Sequence, residues 1–466
     1  MPYSVPQNID PNKIFLVNFS ELEGRWDPTI FQNQFRFISK QYTNRKLSSV
    51  ALIDPKVSFS KLKDDDDISF IPMNIVNEDD GTIKESLYKK VLETKGFTRF
   101  QDGDLIWAKI TPCMQNGKSA VVRKLRNGYG CGSTEFFVIR PKDDTLLIDY
   151  VYILLRDNRI LQTATNYFGG SAGQQRVSKT FLENLTIPVP PLHIQQQIVN
   201  VYNAALSQRK KKLSESKAKL ASIDQYLLGE LGITLPEDSH EKTFIVNYKD
   251  VDGGRLDPNF YRLEYSSLVS NLRESDFCKV KDVVVFSDEM WNQESLFSDY
   301  FPYLEISGIN LEYGQIEAIT LTRKKDAPSR AKMILRKGDL IVSLTRPMRG
   351  AIAIFDIADY DVVIASTGFS VIRDIDSKRI SKDYLCIVLK SSIVLKQFAQ
   401  RCSGGNYPAI TQYDLGCVSI PLPSLDKQQE IADHISAIRA EANAFEQEAN
   451  AILKQAKKEV EELILG

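Results

Sequence analysis

The chain has 466 residues, of which 43% are hydrophobic and 26% are charged. These values are ordinary for globular proteins and exclude a disordered or fibrous chain, and the length predicts more than one domain. Because the formal net charge is only −1, nucleic-acid binding would have to use local basic patches instead of an overall basic field.

Cysteine usage and the N-terminal segment indicate the compartment. The six cysteines are scattered, without a C-x-x-C pair, which is typical of reduced thiols and argues against a disulfide framework or a zinc site. The N-terminal residues lack the apolar core of a signal peptide, and no apolar run is long enough to span a bilayer. We therefore expect a soluble, cytoplasmic protein.

The sequence repeats itself once, and corresponding motifs of the two halves are separated by nearly the same distance. Six motifs occur in the same order in both halves: Gly-Arg-x-Asp-Pro at 24–28 and 254–258, Gly-Asp-Leu-Ile at 103–106 and 338–341, Ser-Thr-x-Phe-x-Val-Ile-Arg at 133–140 and 366–373, Asp-Tyr at 149–150 and 383–384, Ile-Pro-x-Pro at 187–190 and 420–423, and Gln-Gln at 195–196 and 428–429. This shared order predicts a duplication, with a period far too long for a solenoid.

Each half opens with short strand-like and helical segments. In the first half, apolar runs at 104–110 and 133–139 predict strands, and the stretch 149–162 predicts a helix. The copies of these segments lie at 339–344, 366–372 and 383–400. The Ile-Pro-x-Pro motif then closes each globular part, because proline removes a backbone donor and biases the residue before it away from helix.

A heptad pattern follows each globular part and predicts a coiled-coil helix. In the second half, apolar residues are spaced by four and three positions at Ile431, Ile435, Ile438, Ala442, Phe445, Ala449, Ile452 and Ala456, and Leu463 follows the polar Glu459. In the first half, Val199, Leu206, Leu213, Leu220 and Leu227 recur every seven residues, with more polar partner positions that include Arg209 and Ser216. The two stripes can bury each other if the helices pair antiparallel within one chain; a parallel or intermolecular coil is the alternative.

These features predict an α+β chain in which two pseudo-repeated mixed α/β domains are separated by two long antiparallel coiled-coil helices. Each half is of domain size. The predicted order is a first domain at 1–190, a helix at 191–232, a linker at 233–241, a second domain at 242–423 and a second helix at 424–466.

Motifs of catalysis are missing, which indicates a binding protein and not an enzyme. The segment Asn116-Gly117-Lys118-Ser119 is similar to the end of a P-loop, but Pro112 occupies the position where that motif needs its first glycine. The sequence has no Asn/Asp-Pro-Pro-Tyr/Phe element of the kind that amino-methyltransferases place beside the target base. The acidic run at 64–67 is typical of a solvated loop, so we predict no metal site.

Two matching segments are strongly basic. Residues 84–126 contain ten basic and four acidic side chains, and residues 323–349 contain nine basic and two acidic ones. A neutral protein with such a segment in each half fits a polyanion that is gripped at two places. Solvated surface is the alternative interpretation of the same charges.

Loops beside these segments carry side chains that can read bases. Glycine lets a backbone approach a ligand, and Gln, Asn and Arg have the bidentate geometry that recognises adenine and guanine edges; an ordinary turn is the alternative for each loop. The predicted DNA contacts are Lys109, Asn116, Lys118, Gln174, Gln175 and Arg176 in the first half and Thr345, Arg346, Arg349, Asn406 and Tyr407 in the second.

This arrangement resembles the specificity subunit of type I restriction–modification systems over essentially the whole chain. The most specific matches are the Gly-Asp-Leu-Ile strands, Gly-Gln-Gln-Arg-Val-Ser at 173–178, and the passages 187–198 and 420–431. In that family the two passages close a target-recognition domain and open a spacer helix. The resemblance implies two target-recognition domains that each read one half of a bipartite DNA sequence, with paired helices that fix the gap.

Partners and cofactor follow from the same resemblance. It implies that DNA methyltransferase (modification) subunits dock on this chain and carry the S-adenosylmethionine chemistry, that a restriction/translocase subunit can join them, and that this chain holds no cofactor of its own. Partner contacts are expected at Gln195, Gln196, Gln428 and Gln429.

The second half departs from the first in one recognition segment. It has Gly404-Gly405-Asn406-Tyr407-Pro408 where the first half has the Gly-Gln-Gln-Arg-Val version, so we expect two different half-sites and an asymmetric target. Two alternatives stay open: the recognition subunit of a related methylation-only system, and a scaffold with two protein-binding heads on a coiled-coil rod.

Overall fold

The computed structural model describes residues 16, 35, 37–170, 174–237, 243–248, 251, 257–272, 276–293 and 295–465. The Gly-Arg-x-Asp-Pro motif at 24–28, residues 254–256 of its copy, Gly173 and residues 238–241 of the predicted linker lie outside them. Among the described residues, no helix is long and apolar enough to cross a bilayer. The chain divides into two compact units: unit 1 comprises Met1–Lys211 and Glu448–Gly466, and unit 2 comprises Lys212–Gln447.

Unit 1 is built on two four-stranded sheets. Its strands are β1 (Thr43–Lys46), β2 (Ala51–Ile53), β3 (Asp67–Ile71), β4 (Leu87–Lys90), β5 (Thr98–Gln101), β6 (Leu105–Ala108), β7 (Ser119–Val121), β8 (Tyr129–Gly132), β9 (Phe136–Pro141), β10 (Phe168–Gly169), β11 (Arg176–Val177) and β12 (Thr186–Val189). The sheets have the orders β2-β9-β6-β7 and β4-β3-β8-β5, and the pairs β1-β12 and β10-β11 are antiparallel. In the second sheet, β3 and β8 run parallel.

Unit 2 repeats these sheets strand by strand. Its strands are β13 (Phe277–Lys279), β14 (Val284–Ser287), β15 (Tyr300–Leu304), β16 (Ile309–Asn310), β17 (Gln315–Ile316), β18 (Thr320–Arg323), β19 (Ala331–Arg336), β20 (Leu340–Ser343), β21 (Ile352–Ile354), β22 (Val362–Ser366), β23 (Phe369–Ile375) and β24 (Ser419–Pro421). The orders β14-β23-β20-β21 and β18-β15-β22-β19 match those of unit 1, and β13 pairs with β24 as β1 does with β12. The duplicated sequence therefore encodes a duplicated topology.

The Gly-Asp-Leu-Ile motif forms the turn before the central strands β6 and β20. Its glycines have φ values of +86° and +88°, which glycine adopts without steric cost. The aspartates that follow, Asp104 and Asp339, are buried. Asp104 pairs with Arg140 at 2.6 Å and Asp339 with Arg373 at 2.8 Å. Two of the six repeated motifs are thus joined by a buried ion pair in each unit.

In each unit, helices pack against one four-stranded sheet: β2-β9-β6-β7 in unit 1 and β14-β23-β20-β21 in unit 2. The helices are α1 (Leu47–Val50), α2 (Ile148–Leu155), α3 (Asn158–Thr165), α4 (Lys179–Asn184), α5 (Leu192–Leu231), α6 (Leu263–Leu272), α7 (Lys382–Leu389), α8 (Ser392–Arg401), α9 (Gln412–Gly416) and α10 (Leu425–Leu465). Buried side chains of β6, β9 and α2 share one core in unit 1, and those of β20, β23 and α7 share another in unit 2.

Two predicted helices are wrong in extent. The segments 149–162 and 383–400 each form two helices, α2 with α3 and α7 with α8. The first turn of the second helix meets a carboxylate in both pairs. Asp157, the N-cap residue of α3, accepts from the Arg159 N–H at 2.9 Å, and Asp224 of α5 accepts from the Ser392 N–H at the start of α8 at 2.8 Å. Both carboxylates satisfy N–H groups that have no partner within the helix, which stabilises a new helix start.

The long helices α5 and α10 pair antiparallel, as the heptads predict. In unit 1, Tyr202 of α5 shares a core with Val460 and Ile464 of α10. In unit 2, Leu227 shares a core with Ile431 and Ile435. The beginning of each helix therefore lies against the end of the other.

The polar middle of the first stripe has a specific partner. The hydroxyl of Ser216 is buried and donates to the carboxylate of Glu446 at 2.9 Å. The last turns of α10 differ from the prediction, because Val460 and Ile464 are buried there and Leu463 is only partly buried. These two residues face the globular core of unit 1, so the helix end follows the position of that core instead of the heptad seam.

Candidate nucleic-acid interface

Two loops that are far apart in sequence meet in each unit. We call residues 111–118 and 345–350 the turn loops, and residues 169–176 and 403–408 the glycine loops. In unit 1, the N–H of Thr111 donates to the carbonyl of Gln175 at 3.0 Å. In unit 2, the N–H of Arg346 donates to the carbonyl of Pro408 at 2.7 Å. Backbone pairing thus brings the predicted contact residues of each half together.

Carboxylates hold several of the candidate side chains of unit 1. Arg176 donates through Nε and Nη2 to the two carboxylate oxygens of Glu135 at 2.9 and 2.8 Å. These hydrogen bonds lower the pKa of Glu135 below its ordinary value, although burial acts in the opposite direction. Asn116 donates to Glu78 at 3.3 Å, and the partly buried Lys118 lies 4.0 Å from the same carboxylate.

Lys109 and the two glutamines complete the set in unit 1. The Lys109 ammonium lies 5.3 Å from the centroid of the Phe137 ring, a cation–π geometry. The same lysine lines an open groove together with Arg99 and Lys56. Gln174 is exposed and Gln175 is partly exposed.

In unit 2, the candidate contact Arg346 packs against an exposed aromatic ring. The Arg346 guanidinium lies 4.7 Å from the centroid of the Tyr407 ring and donates to the carbonyl of Asn406 at 3.2 Å. The Tyr407 side chain is 71% exposed, so the pair faces solvent. Arg349 and Asn406 are exposed, and Thr345 is partly exposed.

The backbone of Arg346 is in a strained region. Its φ and ψ are both 49°, a left-handed conformation that costs a residue with a Cβ about 1–2 kcal/mol. Backbone strain of this kind is found preferentially at functional sites. The structure therefore gives Arg346 a distinction that its sequence context does not reveal.

The structure corrects the expected partner contacts at Gln195 and Gln428, because both side chains are fully buried. Gln195 accepts from the N–H of Leu147 at 2.8 Å and donates to two carbonyls, including that of Pro190 at 2.8 Å. Gln428 makes the same three bonds in unit 2. The buried side-chain amide in each repeat connects the start of α5 or α10 to the domain that precedes it.

The neighbouring glutamines remain accessible. Gln196 and Gln429 are exposed, and each donates to the residue four positions further along its helix, Asn200 and Asp433, at 2.9 and 2.8 Å. These two glutamines stay as predicted partner contacts.

The basic segments are partly neutralised by acids from outside them. In unit 1, Arg123 pairs with Asp149 at 2.5 Å and Lys90 with Asp67 at 3.2 Å. In unit 2, Arg336 pairs with Glu289 at 2.5 Å. The net charge of a segment in the sequence therefore overstates the local field on the folded surface.

A basic groove of unit 1 is a further candidate surface that the sequence analysis did not single out. It is an open cavity of about 580 Å³ in unit 1 that is lined by Lys124, Arg126, Asn127 and Tyr88, among others. In the described part of unit 1, Lys124 and Arg126 have no ion-pair partner. The matching connection of unit 2, between β21 and β22, carries Asp356, Asp359 and Asp361 instead. An alignment of the two halves reveals this contrast, and that was the available signal.

A family model for the type I restriction modification DNA specificity domain matches residues 39–241 and 273–455. The chain belongs to this family. Two specificity domains thus account for both units and most of both long helices.

Individual relatives cover parts of the chain. The specificity subunit of the type I restriction enzyme EcoAI from Escherichia coli is 38% identical over 162 residues, which are 34% of this chain and 27% of that protein. The EcoEI specificity subunit from the same organism is 37% identical over 158 residues, or 34% of this chain and 26% of that protein. The chain thus matches about a quarter of the length of these relatives.

A solved structure shares the specificity-domain fold over most of the chain. It is a chain from a type I R-M system, with 17% sequence identity, a TM-score of 0.52, and coverage of 92% of this chain and 97% of that chain. At this identity the likeness concerns the fold alone.

Proposed function

We propose that this chain is the sequence-specific DNA-recognition subunit of a type I restriction–modification complex, and that each unit reads one part of a bipartite, asymmetric site. The observation that carries the proposal is a pair of specificity domains with the same strand order that present unlike loops at the same place. Shared scaffolds with unlike loops suit a protein that recognises two different half-sites on one ligand.

The proposed DNA contacts divide by chemistry. Lys109, Lys118 and Arg349 are suited to phosphates, because a charged side chain on a loop can neutralise one without reading a base. Amide groups are suited to base edges, and guanidinium groups are suited both to base edges and to phosphates. These are Asn116, Gln174, Gln175, Arg176, Arg346 and Asn406, with Thr345 and the exposed Tyr407 beside them.

The long helices are proposed to set the gap and to dock the partners. Helices α5 and α10 belong to both units, and each is about 60 Å long at 1.5 Å per residue. DNA methyltransferase subunits would bind near the exposed Gln196 and Gln429 and supply S-adenosylmethionine chemistry, and a restriction/translocase subunit would join them. Catalysis is assigned to these neighbours.

The decisive test is the pattern of DNA methylation. Methylated bases are mapped across the genome of cells that express the partner methyltransferase with or without this chain. We expect a motif of two specified parts with an unspecified gap, methylated only when the chain is present. Methylation that shares no split motif would refute the proposal, and methylation without any restriction of unmodified DNA by the full complex would favour a methylation-only system.

A second test addresses the gap itself. Seven residues are inserted next to Ser216 in α5 and next to Glu446 in α10, so that both stripes keep their heptad register. Each helix becomes about 10 Å longer, so we expect the gap to grow by one to about three base pairs at 3.4 Å each. Both half-sites should keep their sequences. An unchanged gap would remove the helices from this role.

A further inference from the structure

A cation behind the turn loop of unit 1 ties that loop to a neighbouring hairpin. Arg156 directly follows α2, and its guanidinium donates to the carbonyl of Gly117 at 2.7 Å. The same guanidinium donates to the carbonyl of Asp79 at 2.8 Å and to that of Glu78. Gly117 lies between the candidate contacts Asn116 and Lys118, whereas the other two carbonyls belong to the turn between the bridged residues 76 and 83.

Unit 2 contains the same connection with a different cation. Lys390 directly follows α7, and its ammonium donates to the carbonyl of Gly350 at 3.0 Å and to that of Leu311 at 2.8 Å. Gly350 has a φ of +68° and ends the short turn Pro347–Arg349. Leu311 lies in the turn between β16 and β17.

The two connections occupy equivalent places in the repeat. Arg156 and Lys390 follow the Asp-Tyr motifs of their halves at the same distance, and Gly117 and Gly350 precede the Ser-Thr motifs at the same distance. In both units the cation reaches backbone carbonyls of the turn loop instead of its side chains. A bond to a carbonyl does not depend on which side chains the loop carries, so the loops can differ in sequence while the cation holds both in place.

We propose that Arg156 and Lys390 are positioning residues for DNA reading, each setting the geometry of its turn loop from behind by anchoring the loop's last glycine to a hairpin of the same unit. This inference rests on the proposed function of the turn loops. The contacts to charged donors are strong enough for the role, because such hydrogen bonds are about twice as strong as neutral ones.

The two anchors differ in how they respond to pH. The pKa of Lys390 is lowered to about 8, chiefly by burial; Cys386 of α7 opposes this shift, and the positive charge of Arg439 of α10 is part of it. From the turn loop and the hairpin, Lys390 meets carbonyl oxygens. Above pH 8 it loses its charge and its bonds weaken, whereas the arginine of unit 1 keeps its charge.

The experiment uses the full chain in complex with its methyltransferase and duplexes that carry the mapped split motif, with one half or the other substituted. Discrimination is the ratio of Kd values for substituted and intact duplexes, measured at pH 7 and pH 9. For the wild type we expect discrimination at one half to fall about fivefold at pH 9, as a charged hydrogen bond becomes a neutral one. Discrimination at the other half should not change.

Three variants assign the halves. Lys390→Arg should keep full discrimination at pH 9. Lys390→Gln should lose discrimination already at pH 7, at the same half of the motif that is sensitive to pH in the wild type. Arg156→Gln should lose discrimination at the other half. Thermal unfolding checks that each variant folds, and the pH profile of the wild type needs no substitution. Equal changes in wild type and Lys390→Arg would overturn the inference, whereas absence of a split motif in the wild type would instead refute the proposed function.

Discussion

The two units share a scaffold but hold their candidate contacts in different ways. In unit 1, Arg176 is bound to the carboxylate of Glu135. In unit 2, Arg346 lies over the exposed Tyr407 ring and forms no ion pair with a carboxylate of the described residues. The arginine of unit 2 is therefore available to a ligand without breaking an ion pair, whereas that of unit 1 must first exchange one.

The turn loop of unit 2 has one additional residue near its start compared with that of unit 1. Thr111 and Pro112 are adjacent in unit 1, whereas Arg346 stands between Thr345 and Pro347 in unit 2. The glycine loop still pairs with the turn loop through backbone hydrogen bonds in both units. The comparison teaches that buried pairs and backbone bonds carry the duplicated fold, so the side chains that meet solvent are free to diverge.

Removing the buried aspartate of the scaffold should have the largest effect, and the two units should respond unequally. We expect Asp104→Ala to destabilise unit 1 by about 3–5 kcal/mol, because it leaves the Arg140 charge partly buried without a partner. Asp339→Ala should have a smaller effect, since Arg373 also lies 3.0 Å from Glu289 and donates to Ser287. Urea unfolding followed by hydrogen exchange in peptides of each unit measures both losses, and equal losses would contradict this account.

Substitution of the buried Gln195 should have the next largest effect on stability. Gln195→Ala removes three buried hydrogen bonds and leaves their backbone partners unsatisfied, so it should lower the free energy of unfolding of unit 1 by about 1–3 kcal/mol. Gln196→Ala is the matched control, because its side chain is exposed and should change stability little. Denaturant midpoints test the pair. A stable Gln195→Ala variant that no longer binds the methyltransferase would restore the original assignment to partner docking.

The sequence predicts the fold well where burial and backbone conformation constrain it. The Gly-Asp turns, the central strands β6 and β20 and the antiparallel helices follow from glycine, apolar runs and heptads. The break between α2 and α3 was missed because Asp157 caps a helix that still looks continuous in hydrophobic periodicity. The end of the α10 stripe was missed because Val460 and Ile464 follow the core of unit 1, which no local pattern encodes.

The candidate site was harder to predict than the fold. The meeting of the turn and glycine loops depends on backbone pairing between segments that are distant in the chain, as from Thr111 to Gln175 in unit 1, and a single sequence carries no signal for such a pairing. The role of Gln195 was misread because a repeated glutamine is compatible with burial as well as with a surface. The strain at Arg346 depends on φ and ψ, which side-chain type does not reveal for arginine.

A pair of substitutions at Arg346 separates its backbone from its side chain. Both Arg346→Ala and Arg346→Gly should weaken binding to the cognate duplex about tenfold and flatten its salt dependence, because a cationic contact is lost. Alanine keeps the strain of the left-handed conformation, whereas glycine relieves it, so the glycine variant should be more stable than alanine by about 1 kcal/mol. Fluorescence anisotropy at several salt concentrations and thermal unfolding measure the two effects. Unchanged binding in both variants would exclude Arg346 from the interface.

The smallest expected effect comes from freeing the arginine of unit 1. Because Arg176 lowers the pKa of Glu135, the carboxylate stays charged at neutral pH and the ion pair is closed there. Glu135→Gln removes the charge and leaves Arg176 free to meet a phosphate. The slope of log K against log salt should then steepen by about 1, the value of one additional phosphate contact.

Glu183→Gln is the matched control for that slope. Glu183 forms an exposed ion pair with Lys179 on α4 at 3.7 Å, so its substitution makes the same change in net charge away from the paired loops. If both variants steepened the slope equally, net charge would explain the result and the Arg176–Glu135 pair would have no part in it. If Glu135→Gln alone steepened the slope, Arg176 of unit 1 would be able to bind a phosphate once its ion pair with Glu135 is removed. Arg176 and Arg346 would then differ in whether a carboxylate neutralises them, and not in where they lie.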